Sequence, residues 1–247
     1  MTEQEIRSAR LPEMGERAAV CLMDQEIPGT KVNCHVLPEG ECLRFAPDKA
    51  FVRILFLCSG QAEMESDGIS NLFTERGLFI GKADKELVVR AKANAQVLEL
   101  CRWLEPEEYE QVVSGGELPY YLNYAQAPQY TEDCKSAKTI SRMLVPQRLI
   151  PRFAMGSVET YGKDRVEQHC HPMLEQYFFA LEENNCIALI DDLCYPFGAN
   201  TLLHIPLGSN HGISLDDEHS CHYLWMDVLI DEEAALRYLD QAHMNEE

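Results

Sequence analysis

The sequence predicts an all-β protein built as two tandem halves, and three observations lead there. Short apolar runs of four to eight residues recur through both halves, broken by Gly, Pro, Asp and Asn, a pattern of strands rather than long helices. The only two tryptophans sit at matching offsets, Arg53 fifty residues before Trp103 and Glu175 fifty before Trp225. Both halves then pass from a strand-like run into an acidic helix start.

The predicted strands are 52–58, 87–90, 96–103, 153–161, 176–181, 201–205 and 222–230. After Trp103-Leu104-Glu105, Pro106 suits the first turn of a short helix, and Gly115-Gly116 suits its end. Asp231 is a good N-cap for a second short helix through Glu232, Glu233 and on to Leu239, with acidic residues at the positive end of the helix dipole. The expected organisation is a first domain over 1–116, a linker over 117–145 and a second domain over 146–247. Duplication would superpose Arg53-Ile54-Leu55-Phe56-Leu57 on Glu175-Gln176-Tyr177-Phe178-Phe179.

Composition narrows the function. A chain of 247 residues with 46% hydrophobic content can bury a core, and 41 acidic against 21 basic residues give a formal charge of −20. That field repels phosphate backbones and anionic lipid surfaces, so neither nucleic acid nor membrane is an expected partner. No secretory signal is apparent at the N-terminus and no apolar run approaches a bilayer's thickness, so a cytoplasmic location is expected. Ten scattered cysteines without a Cys-x-x-Cys pair read as free thiols, most of them small buried hydrophobes.

Chemistry concentrates in the second half, where seven of the eight histidines follow residue 168. Side chains alternate faces along an extended chain, so a strand running through 169–177 would project His169, His171, Glu175 and Tyr177 to one side. A metal needs further ligands, and His211 lies just beyond the turn Pro206-Leu207-Gly208-Ser209-Asn210 that closes the strand 201–205. The expected ligand set is His169, His171, Glu175 and His211. Tyr177 is the candidate for proton transfer and Arg165 the candidate fork for a substrate carboxylate, although core packing and a solvated loop charge are the simpler roles for the two. His204, His219 and His222 read as structural or surface histidines.

These residues resemble the cupin superfamily, small antiparallel jelly-roll barrels with two short motifs. The first, Gly, five residues, His-x-His, three or four residues and Glu, is matched by Gly162, His169, His171 and Glu175, with one extra residue after the glycine. The second, Pro-x-Gly-x-x-His, is matched by Pro206, Gly208 and His211, with Gly198 as the glycine that opens it. Glu182 and Leu215 stand where the motifs usually end in Gly and Asn, neither of them a ligand position. With the duplication, the resemblance implies a bicupin: two tandem cupin barrels with short flanking helices. Pro47, Lys49, Arg53 and approximately Val89 fall where the first barrel's ligands would be, so that barrel binds no such metal.

Three imidazoles and a carboxylate suit one divalent transition metal, Mn, Fe, Ni, Co or Zn, with open positions for a small-molecule substrate. The leading expectation is redox-neutral chemistry, an isomerase, epimerase or lyase acting on a small sugar or carboxylate. An Fe(II)-dependent dioxygenase and a non-enzymatic small-molecule sensor or binding protein are the alternatives. The resemblance also implies a homodimer formed through strand edges.

Overall fold

The computed structural model describes residues 6–131, 135–235 and 237, and strands dominate it. The chain divides into two compact units, one over 10–127 and one combining 1–9 with 128–247. The segment 117–145, expected as a linker, is instead built into sheets by the strands Tyr120–Asn123, Gln129–Tyr130 and the start of Ile140–Ile150. Its Tyr- and Pro-rich composition hid strands too short to show a period.

In the N-terminal unit, one sheet runs in the order Tyr120–Asn123, Gly77–Ile80, Phe51–Ser59, Ala95–Trp103, Thr30–Leu37, Ala18–Asp24. The second runs Cys42–Phe45, Leu87–Ala91, Ala62–Ser66, Ile69–Phe73. Alternation sends Leu55, Leu57, Phe79, Met64, Val89 and Val97 into one core, where each fully buried large side chain contributes about 1.5–3 kcal/mol. The helix Pro106–Ser114 forms as expected: Pro106 opens it, Glu105 and Glu108 make a reciprocal capping box, and Gly116 leaves it at φ +73°.

The C-terminal unit repeats the plan. Its main sheet runs Ser8–Arg10, Thr201–Ile205, Leu174–Ala180, Ser220–Leu229, Phe153–Tyr161, Ile140–Ile150, Gln129–Tyr130. Asp164–His169 pairs with His211–Leu215, which pairs with Asn185–Ile190, itself paired with Leu193–Gly198. The core between these faces holds Val166, Phe178, Ala180, Phe197, Leu203, Ile205, Ile213 and Tyr223. After Asp231 the chain turns helical over residues 232–235, with the Ala234 amide donating to Asp231 Oδ1 at 2.9 Å. Most of the expected remainder of that helix, to Leu239, lies outside the described residues.

Both tryptophan-bearing strands are central, so the repeat exists at the level of strand order. The fifty-residue superposition does not hold. Trp103 lies opposite Phe51, whereas Trp225 lies opposite Phe178. Arg53 shares the inward face of Leu55 and Leu57, and the residue with that parity next to Phe178 and Ala180 is Gln176, not Glu175.

Candidate metal centre

His169 ends the strand Asp164–His169, and the register with its neighbour is irregular between Val166 and His169. Cys170 and His171 are non-repetitive, Pro172 and Met173 form a turn, and the next strand starts only at Leu174. Proline cannot donate to a ladder, which suits a break at that point. His211 opens its strand directly after the Pro206–Ser209 turn, in which the Ser209 amide donates to the Pro206 carbonyl at 3.1 Å. Gly208 sits in that turn at φ +73°, the third position of a type II turn. Gly212 lets the two strands close up: a Cβ there would lie 2.6 Å from the Val166 carbonyl oxygen.

The three imidazoles converge. Ring centroids lie 4.8 Å apart for His169 and His171, 4.7 Å for His169 and His211, and 5.4 Å for His171 and His211. One ligating atom from each can be chosen so that all lie within 4.8 Å of one another, the one such grouping among the described residues. Nδ1 of His169 is 2.8 Å from the Glu167 carbonyl, and Nδ1 of His211 is 3.0 Å from the Ser209 carbonyl. Carbonyls only accept, so both rings carry a proton on Nδ1, which leaves Nε2 as the nitrogen each can offer a metal. His211 Nε2 is buried with no hydrogen-bond partner. Burial, and repulsion by His169, push the His211 pKa down to about 3, so this ring is neutral near pH 7 and its lone pair is available. An orphaned, neutral, inward-facing nitrogen beside two further imidazoles fits a divalent transition metal. Phe178 packs edge-on against His211 at 5.5 Å and lies tilted against Tyr223 at 4.7 Å, giving the centre an apolar floor.

The other expected site residues are placed elsewhere. Glu175 lies on the face opposite Phe178, where its Oε2 is 2.9 Å from Nε2 of His204. Tyr177 is fully buried on that same face, its ring 5.9 Å from His204. The expectation of one continuous strand from 169 to 177 fails because the break at Cys170–Met173 resets the alternation. Arg165 is exposed and pairs at the surface with Glu167. Gln176, which the sequence reading passed over, points inward: its Nε2 donates to Asp227 Oδ1 at 2.7 Å, and its buried Oε1 has no partner. The signal available for it was the permitted spacing of four residues after the second histidine, which lands on 176.

In the N-terminal unit, buried Glu99 occupies the interior instead. It accepts from Arg53 Nε at 2.9 Å and Asn33 Nδ2 at 3.0 Å, and lies 2.8 Å from His35 Nε2. Arg53 also stacks over Phe45 and Phe51, at 4.8 and 4.5 Å. The described cysteines are all free, Cys58 and Cys221 buried with thiol pKa values raised by burial. No helix of the described residues is long and apolar enough to cross a membrane.

No family model matches the chain, and no curated protein matches it by sequence. Solved structures do. A cupin 2 conserved barrel domain protein from Leptotrichia buccalis superposes with TM-score 0.63 at 14% identity, over 92% of this chain and 99% of that one. A glyoxylate-induced protein from Pseudomonas aeruginosa gives TM-score 0.72 at 11% identity, over 92% and 90%. The oxalate decarboxylase of Lactobacillus farciminis, solved as a formate complex, gives 0.66 at 13% identity, over 94% and 88%. Such identities speak to architecture alone, and the architecture they share with this chain is the cupin barrel.

Proposed function

We propose that this chain is a bicupin whose C-terminal unit holds one divalent transition metal on His169, His171 and His211 and uses it in redox-neutral, lyase-type chemistry on a small carboxylate. The observation that carries the reading is the convergence of three imidazoles, two with Nδ1 tied to backbone carbonyls and His211 Nε2 buried without a partner. An ion bound there would polarise a substrate carboxylate or carbonyl oxygen. The chain's own residues do the rest: backbone carbonyls of Glu167 and Ser209 fix two tautomers, and Phe178 with Tyr223 keeps water from the inner side. The carboxylate class is favoured because two of the similar structures bear the names of oxalate decarboxylase and a glyoxylate-induced protein. The N-terminal unit, with Arg53 and Glu99 satisfying each other, serves as the structural barrel.

Elemental analysis tests the metal: about one equivalent is expected in the native chain and at least a tenfold loss in His171→Ala. A screen of small carboxylates without oxygen, using Mn(II)-loaded protein, tests the chemistry. Turnover under those conditions supports the redox-neutral reading, and turnover that appears only with Fe(II) and oxygen replaces it.

A further inference from the structure

The expected carboxylate ligand lies on the strand face opposite Phe178, with His204, and the neighbouring residue lies on the Phe178 face. Gln176 is 6% exposed and shares the inward face of Phe178, whose ring touches that of His211. Its amide nitrogen donates to Asp227 Oδ1 at 2.7 Å, the orientation that suits a carboxylate acceptor. The amide oxygen is thereby committed to the barrel interior, where it is buried with no donor. His211 Nε2 is in the same condition. Two buried lone pairs left unpaired in one interior are costly, and a single cation would satisfy both. The carboxylate of Glu175, engaged by His204 at 2.9 Å on the opposite face, is not positioned to compete.

We infer that Gln176 Oε1 is the fourth protein ligand of the centre, so that the metal is held by three neutral imidazoles and a neutral amide. The inference rests on the metal centre proposed above. Asp227 polarises the amide through its hydrogen bond and strengthens the oxygen as a donor. With no charged atom among the ligands, the ion keeps its positive charge for the open positions. The ligand class that fits is a small anion chelating through two oxygens, a dicarboxylate or a 2-oxo or 2-hydroxy acid. A sugar offers no such counter-charge.

The test uses the full chain with Co(II) and Mn(II) as metals and malonate as the anionic probe. Gln176→Leu is expected to weaken metal binding by about tenfold or more and to move the visible Co(II) absorption, while Glu175→Gln changes neither. The exchanged pair Gln176→Glu with Asp227→Asn keeps the hydrogen bond with its donor reversed. It is expected to tighten Mn(II) about tenfold and to weaken malonate binding to the metal-loaded protein by a similar factor. If Gln176→Leu does not fold, the exchanged pair decides alone. Unchanged metal affinity and Co(II) spectrum in folded Gln176 variants would overturn the amide ligand, as would a loss that follows Glu175→Gln instead. A His171→Ala chain that still binds metal would overturn the centre itself; loss of metal in His171→Ala together with silent Gln176 variants removes only the fourth ligand.

Discussion

His204 and Glu175 form a pair across adjacent strands, Nε2 to Oε2 at 2.9 Å, on the face of the sheet opposite the imidazole cluster. One residue along, Gln176 shares the face of Phe178, whose ring packs against His211. A single step along a strand therefore exchanges a carboxylate for an amide at the candidate centre, and the consequences can be measured.

His169→Ala and His211→Ala should each lower bound metal at least tenfold, as removal of one of few ligands does. The folded barrel should persist, since the core that holds Val166, Phe197, Ile213 and Tyr223 remains, although His211→Ala also removes a ring packed against Phe178. Metal content beside far-ultraviolet circular dichroism checks this; an intact fold with undiminished metal would exclude the histidine from the ligand set.

Gly208→Ala should destabilise the protein by about 1–2 kcal/mol, the cost of forcing an L side chain to positive φ. A Cβ at this position meets open space, so the penalty is conformational rather than steric. Gly212→Ala acts differently: its Cβ would press on the Val166 carbonyl from 2.6 Å and part the strands that carry His169 and His211. Chemical denaturation should register both changes, and metal affinity should fall more in Gly212→Ala.

The Glu99 cluster sets an acid limit on the N-terminal unit. Burial alone would raise this carboxyl's pKa, but the hydrogen bond and charge of His35, with hydrogen bonds from Asn33 and Cys101, hold it below the ordinary 4.5. A depressed carboxylate pKa contributes stability that is fully present above 4.5 and is lost as pH falls through the folded value. Urea midpoints followed downward from neutral pH should drop in that window, and Glu99→Gln should flatten the drop. Arg53→Ala, which leaves Glu99 without its guanidinium, should cost about 3 kcal/mol or more.

Tyr177→Phe should leave metal content and the pH profile of any turnover unchanged, since the ring is buried on the face away from the imidazoles. Arg165→Ala should shift stability by no more than about 0.5 kcal/mol, its pair with Glu167 being solvent-exposed. A large loss of turnover in either variant, with the metal retained, would return that side chain to the chemistry.

The strands legible in the sequence were those with a clear apolar run: 153–161 and 201–205 carry the predicted bounds, and 96–103 begins one residue earlier. The helix at Pro106–Ser114 was legible because its start and stop are written in local residues, Pro106 and Gly115-Gly116. Tyr120–Asn123 and Gln129–Tyr130 were not, since strands of four and two residues owe their existence to a neighbour's ladder.

By itself the sequence carried the all-β class, because apolar runs and turn residues act locally, and it pointed to His169, His171 and His211 through the two short motifs around Gly162 and Pro206. Only the tertiary structure decided which face each side chain occupies after the break at Cys170–Met173, and with it that Glu175 meets His204 while Gln176 turns inward. Facing depends on where a strand resumes, and the ladder with the Ser220–Leu229 strand, not the spacing of residues, fixes that point.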